Sequence, residues 1–232
     1  MTPPSAPPSP WPALMASTLS ALSAASPELA PALATIAARP GSLERLGRLL
    51  ERVIQWNKRL DLTAAKDERQ LVDLYLPDAL VLAAAAHDMR DTTATRPLWL
   101  DVGSGGGAPG LVLQILEPSL ELWLVEPRAK RVAFLRSAAG SLELASLRVD
   151  AQRAEALPDA CCDVALSRAT FAPDEWLAHG ARLARRAVWV LLARGAEPTL
   201  PGWQASRRID YRWPFGEAER RAVLYERVAQ QR

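Results

Sequence analysis

Asp101-Val102-Gly103-Ser104-Gly105-Gly106-Gly107-Ala108-Pro109-Gly110 is the stretch that decides the fold. The apolar run before it, Leu98-Trp99-Leu100, reads as a strand, and the segment from Pro109 onward reads as a helix. Pro109 suits a first helical position, where its missing N–H would have no intrahelical partner. A strand, a glycine turn and a helix in that order open a parallel α/β sheet. Such sheets bind ligands at the carboxyl ends of their strands, near the switch point. Side chains at the turn would hold a ligand away from the backbone, and glycine removes them. Glu126 lies 23 residues after Gly103, at the end of the next expected strand. A carboxylate there can accept hydrogen bonds from both ribose hydroxyls of a nucleoside.

Outward from this unit, strands and helices alternate. Strands are expected over 120–125, 146–149, 163–166 and 187–192, and helices over 129–139 and 174–185. This order predicts a Rossmann-like α/β fold with a mostly parallel, seven-stranded sheet and helices on both faces. Residues 203–213 and 219–228 are strand-like with no helix between them, which predicts a terminal antiparallel hairpin on the sheet edge. Before the sheet, Leu43, Leu46, Leu49, Leu50, Val53, Ile54 and Trp56 recur at helical spacing, with Ser42 as the expected N-cap. A second helix is expected over 67–87, kinked or divided at Pro77. Nine of the 19 prolines fall within residues 1–40. Residues 2–12 are expected to be disordered or polyproline-like, and 13–38 to form one or two short helices. The expected organisation is a Pro/Ala-rich extension over 1–40, a helical cap over 41–95 and the sheet domain over 96–232.

Composition narrows the class. A chain of 232 residues with 49% hydrophobic and 23% charged side chains has ordinary globular make-up. Its length allows burial of roughly 70–75% of its unfolded surface without a staple. A net charge of +2 excludes a wholly basic, histone-like binder but leaves room for a local basic face. Cys161 and Cys162 are adjacent, so they cannot frame a disulfide scaffold, and they read as buried apolar thiols. With His87 and His179 scattered elsewhere, a structural zinc site is not expected. There is no apolar run of about 18 residues, as a membrane span needs. Neither Lys nor Arg precedes Arg39, so no secretory or transit segment is read. A cytoplasmic protein is the expectation.

The glycines alone leave the nucleoside open, because Gly105 to Gly110 also fits the dinucleotide pattern G-x-G-x-x-G. Three features favour S-adenosyl-L-methionine over NAD. Asp101 precedes the loop, where the cationic methionine end of that cofactor would sit. The order of elements after Glu126 suits a single methyltransferase sheet better than two mononucleotide halves. Residues 150–155 follow the third strand, where an adenine edge would lie. Sulfonium methyl transfer is an in-line displacement, so the protein must align nucleophile and methyl and exclude water. An acceptor with a free lone pair, such as guanine N7, needs no base. The N-P-P-[YF] motif of exocyclic-amine methyltransferases is absent; Ser167-Arg168-Ala169 stands in its place.

Trp56-Asn57-Lys58-Arg59-Leu60-Asp61-Leu62-Thr63 resembles the W-N-K-x-x-N-L-T signature of the glucose-inhibited division protein B family, the guanine-N7 methyltransferases of 16S ribosomal RNA. The loop from Asp101 to Gly110 resembles that family's D-V-G-[ST]-G-x-G-x-P-G. Lys130-Arg131-Val132-Ala133-Phe134-Leu135 resembles its K-R-x-x-F-L helix, and Ser167-Arg168-Ala169 its S-R-A. The similarity spans about residues 43–228. It implies a class I methyltransferase using S-adenosyl-L-methionine, with 16S rRNA or the small ribosomal subunit as partner, no membrane association and a monomeric state. It also implies that Gly103, Ser104, Gly105, Gly107 and Ala108 line the cofactor loop and that Glu126 binds ribose. Ala154 and Glu155 would flank adenine. Arg168 and Arg194 would act at the reacting centre, Arg168 close to both cofactor and incoming base.

Four positions depart from the family pattern. Asp61 replaces Asn, Tyr75 and Ala79 stand in what is usually H-x-x-D-S, and Arg194 replaces Lys. They bear on target and rate more than on cofactor binding. Two other functions therefore stay open: a methyltransferase acting on a small molecule or protein, and an inactive ribosome-assembly factor. RNA contact is expected from two basic clusters, one over 39–69 and one at Arg128, Lys130, Arg131 and Arg136. Trp56 is read as core in preference to a base-stacking platform.

Overall fold

The computed structural model describes residues 9–88, 96–193 and 195–228. Short apolar runs form the middle of the sheet because both of its faces are covered. Five strands run parallel: β1 (Leu98–Val102), β2 (Glu121–Val125), β3 (Leu147–Asp150), β4 (Cys162–Ser167) and β5 (Ala184–Leu192). β6 (Trp203–Arg212) and β7 (Glu219–Arg227) form the antiparallel hairpin expected at the edge. The order is β3-β2-β1-β4-β5-β7-β6, so β7 lies against β5 and β6 is outermost. β1 sits between β2 and β4, and the winding direction switches there.

Alternation along each strand divides the core in two. On one face Trp99, Leu122, Leu124, Leu166, Trp189 and Leu224 pack with helices α1 (Trp11–Ala25), α2 (Ala30–Ala37), α3 (Ser42–Leu60), α4 (Glu68–Tyr75), α5 (Pro77–Asp88), α6 (Gly110–Leu116) and α7 (Ala129–Ser141). On the other, Leu100, Val102, Val125, Ala165, Val188 and Val190 pack with α8 (Pro173–Leu183). No helix among the described residues is long and apolar enough to cross a membrane.

Several boundaries differ from expectation. α1 begins at Trp11, inside the stretch expected to lack structure, because the Trp11 indole is buried beside Gly47 of α3. Residues 2–8 of that stretch lie outside the described residues. The Ser26 hydroxyl after α1 donates to the Asp210 carbonyl (2.7 Å), covering part of the outermost strand. Ser42 is the first residue of α3 and not its cap. Gly41 holds the cap position at φ +74°, a conformation glycine adopts without penalty. Pro109 likewise sits one residue before α6. The helix expected over 67–87 is divided at Leu76: Asp67 caps α4 by accepting from the Gln70 N–H (2.8 Å), and α5 starts at Pro77.

Candidate active site

The loop after β1 is folded by its own backbone. Gly103 and Ser104 both donate to the Val125 carbonyl at the end of β2, at 2.8 and 3.2 Å. The Ser104 hydroxyl donates to the Asp101 carbonyl (2.9 Å), and the Gly107 N–H to the Ser104 carbonyl (2.7 Å). Across the strand ends, the Gly105 N–H donates to Glu126 Oε2 and the Arg128 N–H to Oε1, each at 2.9 Å. Glu126 is buried, yet only two of the roughly four lone-pair positions of its carboxylate are engaged by these bonds.

Three of the loop glycines have a packing reason that the sequence did not announce. A side chain at Gly103 would meet Thr170 Oγ1 at 2.3 Å, one at Gly106 would meet the Tyr75 hydroxyl at 2.5 Å, and one at Gly107 would meet Leu111 Cδ1 at 2.4 Å. Glycine is needed there because the protein's own atoms come close. At Gly105 the nearest atoms would be Arg131 Nη1 at 3.6 Å and the Gly103 carbonyl at 3.7 Å, an ordinary contact distance. Gly105 is therefore the least crowded glycine of the loop.

A cap closes on this loop from the helical side. Asn57, near the end of α3, donates to the Thr63 carbonyl (3.0 Å) and accepts from the Thr63 N–H (2.9 Å). This pins the turn that brings the Leu62 carbonyl against Gly106. The buried Tyr75 hydroxyl donates to the Gly106 carbonyl (2.8 Å), and burial pushes its pKa far up, so it stays a donor. Asp101 lies beneath the loop. Burial raises its carboxyl to about 7 against the Ser104 hydroxyl, the charge of Arg168 and the Gly110 N–H, and its buried Oδ2 makes no hydrogen bond of good geometry among the described residues.

Asp78 joins three distant segments. Its Oδ1 accepts from the Tyr211 hydroxyl (2.8 Å) and Trp213 Nε1 (3.2 Å), and its Oδ2 from Arg168 Nη1 (3.2 Å). Arg168 also donates to the Leu74 carbonyl. Nearby, the Asp73 carboxylate accepts from the N–H groups of Phe215 (3.2 Å) and Gly216 (2.6 Å), fastening the β6–β7 turn to α4.

Residues 42–206 match the family profile described as rRNA small subunit methyltransferase G. The chain belongs to the ribosomal RNA small subunit methyltransferase G family. Its relatives of that name include one from Bordetella avium, 32% identical over 199 residues, covering 83% of this chain and 88% of that one. Another, from Bordetella petrii, is 34% identical over 157 residues; that match covers 67% of this chain and 60% of the relative's length. Among solved structures, magnesium protoporphyrin IX methyltransferase from Synechocystis PCC 6803, with bound SAM, superposes with a TM-score of 0.55 at 14% identity. That superposition covers 78% of this chain and 97% of the other, and it shows the fold.

The departures from the methyltransferase G pattern acquire structural meaning. Asp61 adopts φ +46°, a left-handed conformation that Asp and Asn both tolerate better than most residues. Tyr75 supplies the hydroxyl over Gly106, and Ala79 is fully buried beside the retained Asp78. Gly103, Ser104, Gly105, Gly107, Ala108 and Glu126 gather at the carboxyl ends of β1 and β2. Ala154 is buried after β3, with its carbonyl accepting from Arg182 Nη2 (2.7 Å), whereas Glu155 is exposed. Arg168 stands at the carboxyl end of β4 with its guanidinium turned to Asp78 and Leu74 in the cap. Arg194 lies outside the described residues. The sequence marks Asp78 as the acid retained from the H-x-x-D-S segment, but nothing in it announces the partners Tyr211 and Trp213. The Cys pair lies at the amino end of β4, away from the loop, and burial raises both thiols.

Proposed function

We propose that this chain transfers the methyl group of S-adenosyl-L-methionine to N7 of a guanosine in 16S ribosomal RNA. The observation that carries this reading is the bond from the Gly105 N–H to Glu126. It sets the least crowded glycine of the loop directly beside a buried acid with acceptor capacity to spare. The site fits the cofactor in two further respects. The buried Asp101 Oδ2, with no hydrogen bond of good geometry among the described residues, lies under the loop on the side where the methionine end would be held, and Ala154 closes the far side after β3. The bound cofactor supplies an electrophilic methyl on a sulfonium.

In this reading Glu126 binds the ribose hydroxyls, with Gly103, Ser104, Gly105, Gly107 and Ala108 beneath the nucleoside and Ala154 and Glu155 flanking its base. A guanine N7 acceptor has a free lone pair and no proton to lose, so what the protein would contribute is alignment and exclusion of water. The cap turn held by Asn57 and Tyr75 excludes water above the loop. Arg168, held by Asp78 at the end of β4, would stand beside the acceptor; Arg194 is assigned to the reacting centre from the family resemblance alone. The Cys pair, at the opposite end of β4, does not supply the nucleophile that cytosine C5 methylation uses. On this reading the protein works in the cytoplasm, alongside the ribosomal RNA it modifies.

The test is transfer of labelled methyl to three acceptors: purified small subunits, deproteinised 16S rRNA and a pool of small metabolites. Label at guanine N7 in either RNA sample is the expected result. Label in metabolites alone would point to a small-molecule methyltransferase. Cofactor binding with no turnover on any RNA would point to an assembly factor.

A further inference from the structure

The chain has two arginine-rich surfaces, and their charges are disposed differently. The β6–β7 hairpin, residues 203–227, carries six arginines, but acids neutralise much of it. Arg208 pairs with Glu197 (2.9 Å), Arg212 with Glu219 (3.2 Å), and Arg221 with both Asp210 (2.6 Å) and Glu197 (3.1 Å). Arg227 lies over Trp203 and donates to the carbonyls of Ala181 and Ala184. Phosphates approaching this face would have to displace acids already in place.

The seam between α3 and α7 has the opposite character. Residues 127–142 carry four basic side chains and no acid, and α3 carries five basic against two acidic. The helices run antiparallel, because Arg48 donates to the Ser141 carbonyl (2.6 Å), Arg52 to the Ser137 hydroxyl (2.8 Å), and the Trp56 ring meets the edge of Phe134 at 5.6 Å. Trp56 is thus part of the seam's packing. The same register carries the C-terminal turn of α3, with Lys58 and Arg59, to the first turn of α7, with Lys130 and Arg131. Lys58, Arg59 and Lys130 are exposed and form no ion pair with a described residue. Lys58 and Lys66 also line one recess with Asn57 and Thr63. This end of the seam adjoins the active site: Arg131 Nη1 lies 3.6 Å from where a Gly105 side chain would begin.

From this the geometry points to the site-proximal end of the α3–α7 seam, with Lys58, Arg59 and Lys130 at its centre, as the surface that holds RNA phosphates, and away from the acid-paired hairpin. The assignment rests on the RNA methyl-transfer reading above and adds where the RNA lies. Unpaired cations bind phosphate by releasing its condensed counterions, so each lost contact lowers the salt dependence of binding by about one unit of slope.

The experiment compares two triple variants of the full chain with the same loss of charge: Lys58→Gln/Arg59→Gln/Lys130→Gln and Arg208→Gln/Arg212→Gln/Arg221→Gln. Binding of deproteinised 16S rRNA is measured against salt, together with KM and kcat for methyl transfer and calorimetric affinity for S-adenosyl-L-methionine. The seam variant should lose at least about tenfold in RNA affinity and two to three units of salt slope. Its KM for RNA should rise while kcat at saturating RNA and cofactor affinity hold. The hairpin variant should keep an RNA affinity within about threefold of the parent. Equal losses in both variants, or a larger loss in the hairpin variant, would overturn the assignment. Should the hairpin variant fail to fold, an unchanged salt slope in the seam variant alone would do so. Absence of RNA methylation by the parent chain would instead remove the functional reading.

Discussion

Glu126 organises the site at the scale of single atoms. Each of its oxygens receives one backbone N–H, from Gly105 and Arg128, and each keeps capacity for a further donor. Glu126→Ala should therefore weaken S-adenosyl-L-methionine binding by about 1–3 kcal/mol, the range for losing a hydrogen bond to a charged group. Calorimetry showing unchanged affinity would remove the ribose assignment. Asp101 makes a prediction of another kind. Its folded pKa, raised to about 7 by burial, stands well above the ordinary value near 4 of an unfolded chain. Between those values the folded protein keeps a proton that the unfolded chain has released. The stability Asp101 contributes is thus complete below about pH 4 and is lost as pH rises through about 7. Asp101→Asn carries no such dependence, so its stability relative to the parent should improve steadily from pH 4 to pH 7.5 in ligand-free protein. A difference between the two chains that does not change with pH would contradict the buried placement of this acid.

At the scale of elements, the cap turn and the glycine loop act as one contact. A side chain at Gly106 would meet both the Tyr75 hydroxyl at 2.5 Å and the Leu62 carbonyl at 2.9 Å. Gly106→Ala should cost about 1–3 kcal/mol by overpacking, and Tyr75→Phe about 0.5–1.5 kcal/mol by loss of one hydrogen bond. The two should not add, because removing the hydroxyl relieves the nearer clash. Denaturant melts of the double variant should therefore show less than the summed loss, and strict additivity would contradict the contact. These elements differ in how legible they were. The strand at 98–102, the acid at Glu126 and the terminal hairpin followed from local alternation and turn residues, because such patterns are written into neighbouring positions. The start of α1 did not, since proline density around Trp11 argues against structure. Only the tertiary burial of that indole overrides it. The reason for the glycines was also hidden: Thr170 lies 67 residues from Gly103, and no local pattern announces its approach.

Across the whole molecule, Asp78 ties the cap to the sheet. Its partners lie at Arg168, Tyr211 and Trp213, on the loop after β4 and at the end of the last hairpin. Each residue looks unremarkable in its own stretch of sequence, which is why the cluster was not legible there. Asp78→Ala would leave a guanidinium, a phenol and an indole N–H without their acceptor in a buried setting. A loss of about 3 kcal/mol in unfolding free energy is expected. A loss below about 1 kcal/mol by chemical denaturation would show that these groups find other partners. The same tie keeps Arg168 at the carboxyl end of β4, while α7 brings Arg131 to within 3.6 Å of where a Gly105 side chain would begin. The proposed cofactor loop, acceptor position and phosphate-binding surface then lie at one end of one sheet, and the whole proposal stands or falls with the identity of the methylated atom. That is read most directly by mapping N7-methylguanosine along 16S rRNA from cells with and without this gene. One guanosine methylated only where the gene is present is the predicted result, and an identical methylation map in both would contradict the account.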